Sequence, residues 1–532
     1  MAHTFRNIEL DHFLGDRSIM KKLFYIACFS CMSTVGLEPA LAGEKKNFAV
    51  ISPADSIGDI LRKAATIVPS SQQYSWQRLE YIAFVHFGMD TFTGEEIGTG
   101  KEDPRLFDPT ELDCDQWAKT FSEAGMKMAI LTVKHHDGFC LWPSKYTEHS
   151  VKNSPWKDGR GDVVREFVKA CKKFGLKVGF YLSPWDRNNP SYGTMEYNIY
   201  YMNQLTELLT NYGRIDEIWF DGYKGPEARN MAYDWQAYYK LIRKLQPNIV
   251  ISISGPDVRW VGTETGYGRD TEWDVLPIDL TGLTYEEIKE DAHPIDDMFM
   301  PRNYMGEDLG GRDKLFGAKG LFWYPAETDV SIRPGWFYKS SQDSLVKSVG
   351  ELMDIYFNSV GKNSVLLLNV PPDKRGLISD YDKDALMGLH KVLTETFSHN
   401  FASDAMVKVN GQERTKEISS LLGNGKYWSA NERSDTATLE IILPRPATFD
   451  VAMVQEDILV GQRIAKFHID YWYLNSWRRL TEGTTVGYKR LLRFEPVTTD
   501  RVRLVIEKSR LNPTLSDFGL FELPRQYLHS RK

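Results

Sequence analysis

The sequence predicts an α/β protein, a (β/α)8-like TIM barrel followed by a C-terminal antiparallel β-sandwich. The first observation is that short, continuous apolar runs alternate with amphipathic helical patterns, as in parallel sheets covered on both faces. The second is a change near residue 400, after which strand-like segments of alternating polarity follow one another without a helical period. A chain of 532 residues is long enough for both parts.

Seven apolar runs are predicted to be strands of the barrel. They cover residues 81–85, 128–133, 178–182, 218–220, 249–253, 320–324 and 365–368. Helical patterns lie between them, and Asp113 and Asp162 stand where each would cap the start of a helix. A closed barrel of this type has eight strands, so we expect the eighth between residues 261 and 300, where the pattern is weakest.

The domain organisation follows from these patterns. Residues 1–42 are predicted to be an N-terminal extension with a signal peptide, residues 43–399 the catalytic barrel and residues 400–532 the sandwich. The predicted strands of the sandwich cover residues 436–443, 449–455, 464–473, 487–494 and 501–506.

The N-terminal segment carries the features of an export signal. Lys21 and Lys22 precede a short apolar run over residues 23–32, and residues 40–42 (Ala-Leu-Ala) have the small-x-small form of a cleavage site. We therefore expect export to the periplasm or the extracellular space, with a mature chain that begins near Gly43. No later run approaches the ~20 apolar residues of a membrane span.

Composition and charge narrow the function classes. The formal net charge of −7 gives no support for a nucleic-acid partner. Cys114, Cys140 and Cys171, which follow the signal segment, have the spacing of neither a metal site nor a disulfide framework. Aromatic residues make up 13% of the chain, which suits stacking on the apolar faces of sugars and equally the filling of a large core.

Several side chains that carry chemistry end the predicted barrel strands or follow them directly. In barrel enzymes the reacting groups lie where the strands end, so we expect these side chains to converge in one pocket. They are His86, His135, His136, Asp137, Tyr181, Trp185, Trp219 and Asp221. Asp221 is the most informative of them, because it ends a buried strand and precedes Gly222. Burying a carboxylate costs free energy, so a buried Asp at this position indicates a functional role.

The residues alone leave three functions open. A metal-dependent hydrolase would use histidine and aspartate ligands, although His135 and His136 lack the His-x-His spacing of barrel amidohydrolases. A glycosidase would use two carboxyl groups, one of them Asp221. The candidates for the other carboxyl group are Glu264, Glu272, Glu227 and Glu327. A glycan-binding protein would keep the pocket but have an inactive barrel.

Six motifs, in order along the chain, resemble those of the α-L-fucosidases of glycoside hydrolase family 29. The motifs are His-Phe-Gly-x-x-Thr-Phe-Thr (86–93), Lys-His-His-Asp-Gly-Phe (134–139), Trp-Phe-Asp-Gly (219–222), Arg-Trp-Val-Gly-Thr-Glu-Thr-Gly (259–266), Ile-Arg-Pro-Gly-Trp-Phe (332–337) and Leu-Leu-Leu-Asn-Val-Pro-Pro (366–372). The fourth and fifth are most similar to the subfamily that acts on α-1,3 and α-1,4 fucosyl branches. The appended sandwich resembles the discoidin-like carbohydrate-binding modules of such enzymes.

The resemblance implies an exo-acting, retaining glycosidase that releases α-L-fucose from α-1,3- or α-1,4-linked fucosyl glycans by double displacement. It assigns Asp221 as the nucleophile and Glu264 as the acid/base. It also implies a fucose pocket lined by His86, Glu96, His135, His136, Tyr181 and Trp219. Trp336 is expected either to bind the group beyond fucose or to close a loop. The implied partner is a fucosylated oligosaccharide or glycoconjugate, and no cofactor or metal ion is implied.

The chain departs from the family pattern at three places. Residues 89–90 are Met-Asp where Pro-Asn is usual, and Ile97 stands where a tryptophan often follows the glutamate. Thr263 and Thr265 flank Glu264 in place of asparagine and alanine. The change at Ile97 bears on a stacking contact near the fucose, whereas the threonines leave the Glu264 carboxyl in place.

Overall fold

The computed structural model describes residues 46–225, 230–278, 295–415 and 427–524. All of these residues belong to one compact unit, which contains both the barrel and the sandwich. The predicted signal segment and Glu227 lie outside the described residues. Every helix within the four ranges is either too short or too polar to span a bilayer.

Eight parallel strands form the barrel, as the sequence predicts. They are β1 (Tyr81–Val85), β2 (Met128–Lys134), β3 (Lys177–Leu182), β4 (Glu217–Phe220), β5 (Val250–Ile253), β6 (Arg259–Trp260), β7 (Ala326–Ser331) and β8 (Ser364–Asn369). Their order in the sheet is β5-β4-β3-β2-β1-β8-β7-β6. A bridge between Ser252 and Val258 joins the two edges, so the sheet is nearly closed.

Helices connect most of these strands and pack against the sheet. They cover Ile57–Thr66, Ser71–Gln77, Met89–Thr93, Cys114–Glu123, Val163–Lys173, Met195–Asn211, Trp235–Leu245, Ile295–Met298, Arg312–Leu315, Val349–Ser359 and Asp380–Phe397. Both predicted caps are confirmed. Asp113 accepts a hydrogen bond from the backbone N–H of Gln116 at 3.0 Å, and Asp162 accepts one from Arg165 at 2.9 Å.

Two of the predicted barrel positions are wrong. The apolar run at 320–324 is not a barrel strand, because Gly320–Trp323 pairs antiparallel with Phe48–Val50 and Val275–Ile278 in a separate three-stranded sheet. The eighth strand does not lie between residues 261 and 300 either. The barrel instead uses β6, which ends at Trp260, and β7, which follows the side sheet.

β7 could not be predicted from apolar runs, because its sequence, Ala-Glu-Thr-Asp-Val-Ser, is mostly polar. All six residues are nevertheless buried, with Glu327 0% and Asp329 4% exposed. Charged groups are rarely buried without a partner or a task, so this strand marks the interior of the barrel as chemically unusual.

The C-terminal part is the predicted antiparallel β-sandwich. Its strands are β9 (Met406–Val409), β10 (Gln412–Glu413), β11 (Trp428–Ser429), β12 (Ala437–Gln455), β13 (Ile464–Tyr473), β14 (Ser476–Gly483), β15 (Arg490–Ser509), β16 (Thr514–Leu515) and β17 (Asp517–Phe521). The predicted strands 436–443 and 449–455 are the two halves of β12, and 487–494 and 501–506 both map to the β15 region. Both halves of β12 pair with β15, with register shifts after Ile442 and after Phe449. On its other side, the first half of β12 pairs with β9 and the second half pairs with β17.

Candidate active site

A cavity of about 580 Å³ opens where the barrel strands end. Parallel strands all end at the same rim, so residues that are far apart in sequence meet there. The residues that the family resemblance assigns to the site all line this cavity: His86, Glu96, His135, His136, Tyr181, Trp219, Asp221, Glu264 and Trp336. Asp137 and Trp185, which the sequence also predicts to converge here, do not line it. The Asp137 carboxylate instead accepts a hydrogen bond from the backbone N–H of Phe139, and the Trp185 ring packs against His136 with centroids 4.9 Å apart.

Asp221 follows β4 directly, and two donors fix its carboxylate. Its Oδ2 accepts a hydrogen bond from the Tyr181 hydroxyl at 2.8 Å, and its Oδ1 accepts one from the backbone N–H of Tyr223 at 2.7 Å. Burial raises the pKa of Asp221 above its ordinary value, whereas these two bonds and the charge of His135 lower it. The carboxylate is therefore oriented toward the cavity by groups that favour its ionised form.

Glu264 lies on the loop that follows β6, on the same cavity. Partial burial raises its pKa, a side-chain hydrogen bond with Trp336 lowers it, and the negative charge of Asp221 raises it further. The two carboxyl groups thus have unequal surroundings, with two hydrogen-bond donors on Asp221 and one on Glu264. Differences of this kind are what separate the acidities of neighbouring carboxyl groups in glycosidases.

His86 is held as a neutral imidazole in a defined tautomer. Its Nδ1 lies 2.9 Å from Oδ1 of Asn369, whose Nδ2 donates to Ser331 Oγ and to the Trp336 carbonyl. Asn369 Oδ1 is therefore an acceptor, so His86 Nδ1 carries the proton and Nε2 is left as an acceptor. Burial lowers the pKa of His86 well below its usual value, which keeps the ring neutral.

His136 shows the same arrangement next to the carboxylate of Asp221. Ser183 Oγ donates to the Trp185 carbonyl at 2.6 Å, so it accepts from His136 Nδ1, which lies 2.8 Å away. Nε2 is left as an acceptor, 3.6 Å from Asp221 Oδ2. Burial lowers the pKa of His136 well below its usual value. Two hydrogen-bond acceptors, His136 Nε2 and Asp221 Oδ2, therefore lie side by side at the cavity.

His135 lies between the aromatic wall and a buried carboxylate. Its ring stacks on Tyr181 with centroids 5.6 Å apart, and its Nδ1 is 3.5 Å from Asp90 Oδ2. The same Asp90 oxygen accepts a hydrogen bond from the backbone N–H of Gly98 at 3.2 Å. Asp90, one of the departures from the family pattern, thereby anchors the segment that carries Glu96.

Trp219 forms the inner wall of the cavity. Its ring stacks on Tyr181 at 5.2 Å and packs near Phe84 at 5.3 Å. Its indole N–H donates to Glu327 Oε1 at 2.7 Å. Glu327 is fully buried behind this ring and does not line the cavity, so its carboxyl is separated from any substrate by Trp219.

Glu96 lines the cavity, but its carboxylate is engaged by the loop that carries Trp336. Oε2 accepts a hydrogen bond from the backbone N–H of Trp336 at 2.8 Å, and Oε1 lies 2.9 Å from Lys339 Nζ. The Trp336 ring in turn lies 4.9 Å from the His86 ring. Glu96 therefore fixes the position of Trp336 at the edge of the site.

Asp329 is a cavity residue that sequence reasoning missed. The indole N–H of Trp260 donates to its Oδ1 at 2.8 Å. Burial raises the pKa of Asp329 to about 7, helped by the charges of Glu264 and Asp221 and opposed by the Trp260 bond. The signal that would have found it is the spacing of Glu327 and Asp329, two residues apart on one face of a strand.

Of the candidate partners for Asp221 that the structure describes, Glu264 is the one on the cavity. Glu272 is 2% exposed, forms a buried ion pair with Arg259 and does not line the cavity. Glu327 lies behind the inner wall, as described above. The reserve candidates therefore have structural partners, whereas Glu264 faces the space that a substrate would occupy.

The barrel with a paired-carboxyl cavity at its strand ends defines the class, a barrel-type glycoside hydrolase. Residues 62–395 match the family model described as Alpha-L-fucosidase. The chain belongs to this family, the α-L-fucosidases of glycoside hydrolase family 29, and is therefore a glycosidase that acts on fucosides. The family expectation from the six motifs is confirmed.

Relatives and solved structures are similar to this chain over most of its length. Alpha-L-fucosidase 1 of Arabidopsis thaliana is 44% identical over 466 residues, which are 85% of this chain and 87% of that protein. The structure of a glycoside hydrolase 29 family member from an unknown rumen bacterium is 38% identical, with a TM-score of 0.72 over 88% of this chain and 79% of that chain. A GH29 fucosidase from Ruminococcus gnavus, solved in complex with fucose, is 31% identical, with a TM-score of 0.76 over 87% of this chain and 96% of that chain.

Proposed function

We propose that this protein is an exo-acting, retaining α-L-fucosidase that removes fucose from α-1,3- and α-1,4-linked branches of glycans. The observation that carries the proposal is that the carboxyl groups of Asp221 and Glu264 line one cavity and accept hydrogen bonds from different donors. Retaining glycosidases place two such carboxyl groups about 5–5.5 Å apart, one as nucleophile and the other as acid/base.

The reaction runs in two displacements. In the first, an oxygen of ionised Asp221 bonds to the anomeric carbon of fucose, the glycosidic C–O bond breaks, and protonated Glu264 gives its proton to the leaving oxygen. In the second, Glu264 takes a proton from water, the water oxygen bonds to the anomeric carbon, and the ester to Asp221 breaks. Two inversions at one carbon restore the α configuration.

The histidines serve this reaction as hydrogen-bond acceptors for hydroxyl groups of the sugar. Nε2 of His86 and Nε2 of His136 are the acceptor atoms, and a hydroxyl placed next to His136 would also lie beside Asp221. The rings of Trp219 and Tyr181 offer an apolar surface for the sugar. Fucose is the ligand in the Ruminococcus gnavus relative, which supports this choice of sugar.

The stereochemical test is a time-resolved proton NMR spectrum of an aryl α-L-fucoside during hydrolysis. Retention predicts that the α anomer of fucose appears first and that the β anomer follows by mutarotation. An initial β signal would contradict the double displacement and would leave the fucosidase activity itself intact.

The linkage proposal rests on the motifs at residues 259–266 and 332–337, which carry Glu264 and Trp336. The test compares branched trisaccharides that bear α-1,3- or α-1,4-linked fucose with an α-1,2-linked disaccharide and an aryl fucoside. We expect the branched substrates to have the highest kcat/KM. Preference for the α-1,2 linkage would overturn the linkage assignment alone.

The alternative functions have weaker support in the described residues. A metal-dependent hydrolase needs converging ligands, and within the four described ranges no group of three His, Cys, Asp or Glu side chains is arranged to hold a metal ion. A glycan-binding protein with an inactive barrel would lack a catalytic pair, whereas Asp221 and Glu264 are both present on the cavity.

We also propose that the protein is exported, to the periplasm or the extracellular space, after cleavage near residue 42. The support is the order of charged, apolar and small residues in the first 42 positions. Sequencing the N-terminus of the protein recovered outside the cytoplasm tests this, and a start near Gly43 is expected. An uncleaved chain confined to the cytoplasm would contradict it.

A further inference from the structure

The loop that carries Glu264 is closed at its base by an ion pair. Arg259, the first residue of β6, and Glu272 lie on either side of the loop and pair with each other. Both side chains are 2% exposed. An ion pair in such surroundings holds its two partners firmly, because separating them would leave a buried charge without compensation.

The barrel holds the near side of the loop through backbone hydrogen bonds to β7. The N–H of Val261 donates to the Glu327 carbonyl at 2.9 Å, and the N–H of Gly266 donates to the Asp329 carbonyl at 3.0 Å. Arg269 crosses the loop and donates to the Val261 carbonyl at 2.9 Å. The segment from Val261 to Gly266, which carries the Glu264 carboxyl, is therefore held by backbone hydrogen bonds at both of its ends.

The sandwich holds the far side of the loop through buried side chains. Gln462 donates to the Glu272 carbonyl at 2.8 Å and accepts from the Asp274 N–H at 2.7 Å. Thr485 Oγ1 accepts from the Glu272 N–H at 2.8 Å. Gln462 is 0% and Thr485 1% exposed, so solvent does not replace either contact. The backbone around Glu272 is thus set by the sandwich.

Two further sandwich residues bind the same strip of chain at Asp270. Its carbonyl accepts from Thr484 Oγ1 at 2.5 Å and from the Arg490 guanidinium at 2.9 Å. The carboxylate of Asp270 points elsewhere and pairs with Lys362 at 2.7 Å. Contacts from the sandwich therefore converge on one strip of backbone, residues 270–274, directly after the loop.

We propose that the sandwich is a positioning element of the active site. Gln462 and Thr485 fix Glu272, the fixed Glu272 holds Arg259, and the closed loop base sets where Glu264 stands relative to the glycosidic oxygen. The inference rests on the proposed function, in which Glu264 is the acid/base. In this proposal the sandwich contributes to catalysis by positioning Glu264, independently of any sugar binding by the sandwich itself.

The test uses aryl α-L-fucosides whose phenols differ in acidity. A dinitrophenyl group leaves without a proton, whereas a phenyl group needs one from the acid. We expect Thr485→Val and Gln462→Leu to lose roughly tenfold in kcat/KM with the phenyl substrate, a part of what general acid catalysis contributes. The dinitrophenyl substrate should change less than about twofold, because its departure does not use the proton. Thr485→Ser, which keeps the hydroxyl, should restore the wild-type ratio.

The matched control is Arg493→Gln. Arg493 lies at the same interface and pairs with Asp354 at 2.6 Å, and neither residue belongs to the loop or to the strip 270–274. Arg493→Gln should leave the ratio of kcat/KM for the phenyl substrate to kcat/KM for the dinitrophenyl substrate unchanged. If the control shifts this ratio as Thr485→Val does, the effect belongs to docking in general and the inference fails.

Two further outcomes would overturn the inference. One is an unchanged substrate ratio in both Thr485→Val and Gln462→Leu, and the other is an equal loss on both substrates. If Gln462→Leu fails to fold, the substrate ratio of the isosteric variant Thr485→Val alone decides whether the inference holds. Glu264→Ala serves as the reference: if it does not itself select against the phenyl substrate, the assignment of the acid/base fails, which is a failure of the proposed function instead.

Discussion

At the scale of single residues, the groups around each carboxyl decide what it can do. Asp221 receives hydrogen bonds from Tyr181 and from the Tyr223 backbone, which stabilise its charge. Glu264 has the charge of Asp221 nearby, which opposes ionisation. The proposed mechanism assigns these two carboxyl groups different roles, nucleophile and acid, and their surroundings are what would distinguish them.

In the proposed mechanism, replacing Asp221 by alanine removes the atom that bonds to the anomeric carbon. We expect kcat on an aryl fucoside to fall by roughly 10⁴-fold or more, the scale on which nucleophile deletions act. Far-UV circular dichroism and the thermal midpoint should stay close to wild type, because the side chain is partly exposed and lies at a strand end. Added azide should restore turnover and give a fucosyl azide of inverted configuration. Full activity without azide would remove Asp221 as the nucleophile.

The pH profile reports the same two groups. In the proposed mechanism Asp221 must be ionised, so activity is lost as the pH falls through its pKa. Glu264 must be protonated, so activity is lost as the pH rises through the pKa of Glu264. Both pKa values are raised, which moves both limbs to higher pH. In the wild-type protein the alkaline limb should be present with a phenyl fucoside, which needs the proton, and absent with a dinitrophenyl fucoside, whereas the acid limb should appear with both. An equal alkaline limb with both substrates would assign that limb to another group.

Pocket residues at or just after the end of an apolar run could be predicted from the sequence, whereas a pocket residue inside a polar strand could not. His86, His136 and Asp221 each follow an apolar run, so the barrel hypothesis alone brings them together. Asp329 lies inside a strand whose polarity hides it. Its contribution depends on Trp260, which approaches from the neighbouring strand, and no sequence pattern encodes that approach.

At the scale of elements, β6 and β7 show why two of the eight barrel strands could not be placed from the sequence. β6 has two residues, too few for any periodicity, and β7 carries two buried carboxyl groups. The run at 320–324 has the composition of a buried strand and is one, but it pairs antiparallel outside the barrel. Burial is readable from such a run, whereas the pairing partner is set by tertiary packing.

Buried carboxyls inside the barrel make its stability depend on pH. Glu217 on β4 is fully buried, accepts from the Trp76 indole at 2.8 Å, and burial raises its pKa from the ordinary 4.5 to about 7. Its charge also helps to raise the pKa of Glu327. Between pH 4.5 and 7 the folded state therefore binds more protons than the unfolded chain, so stability falls as the pH rises through this window.

Glu217→Gln removes this titration and keeps an oxygen for Trp76. We expect the variant to lose less stability than wild type between pH 5 and 8, by up to about 3 kcal/mol in the free energy of unfolding. Urea unfolding at several pH values measures the effect. The control is Glu413→Gln, an exposed position on β10, which should leave the slope unchanged. A variant as pH-sensitive as wild type would show that Glu217 titrates normally.

At the scale of the whole molecule, barrel and sandwich form one compact unit. Sandwich side chains such as Leu491 and Phe521 join the apolar core of the barrel, and buried polar contacts lie beside this packing. Asn363, at the start of β8, receives a hydrogen bond from the Tyr488 N–H at 2.7 Å and donates to the Asp274 carboxylate at 3.1 Å. Buried polar contacts of this kind specify one relative placement, because any other leaves donors or acceptors unpaired. The change of pattern near residue 400 predicted the sandwich, but a pattern of strands carries no information on which barrel loop it supports.

The central claim is that Asp221 forms a covalent bond to fucose, and trapping that ester tests it most directly. A 2-fluorinated fucosyl fluoride releases fluoride without needing an acid, while the fluorine beside the anomeric carbon slows hydrolysis of the ester. Digestion and mass spectrometry should then place one fluorofucosyl group on the peptide that contains Asp221, and none in Asp221→Ala. A label on any other residue, or continued turnover with no label and inverted product, would contradict the account.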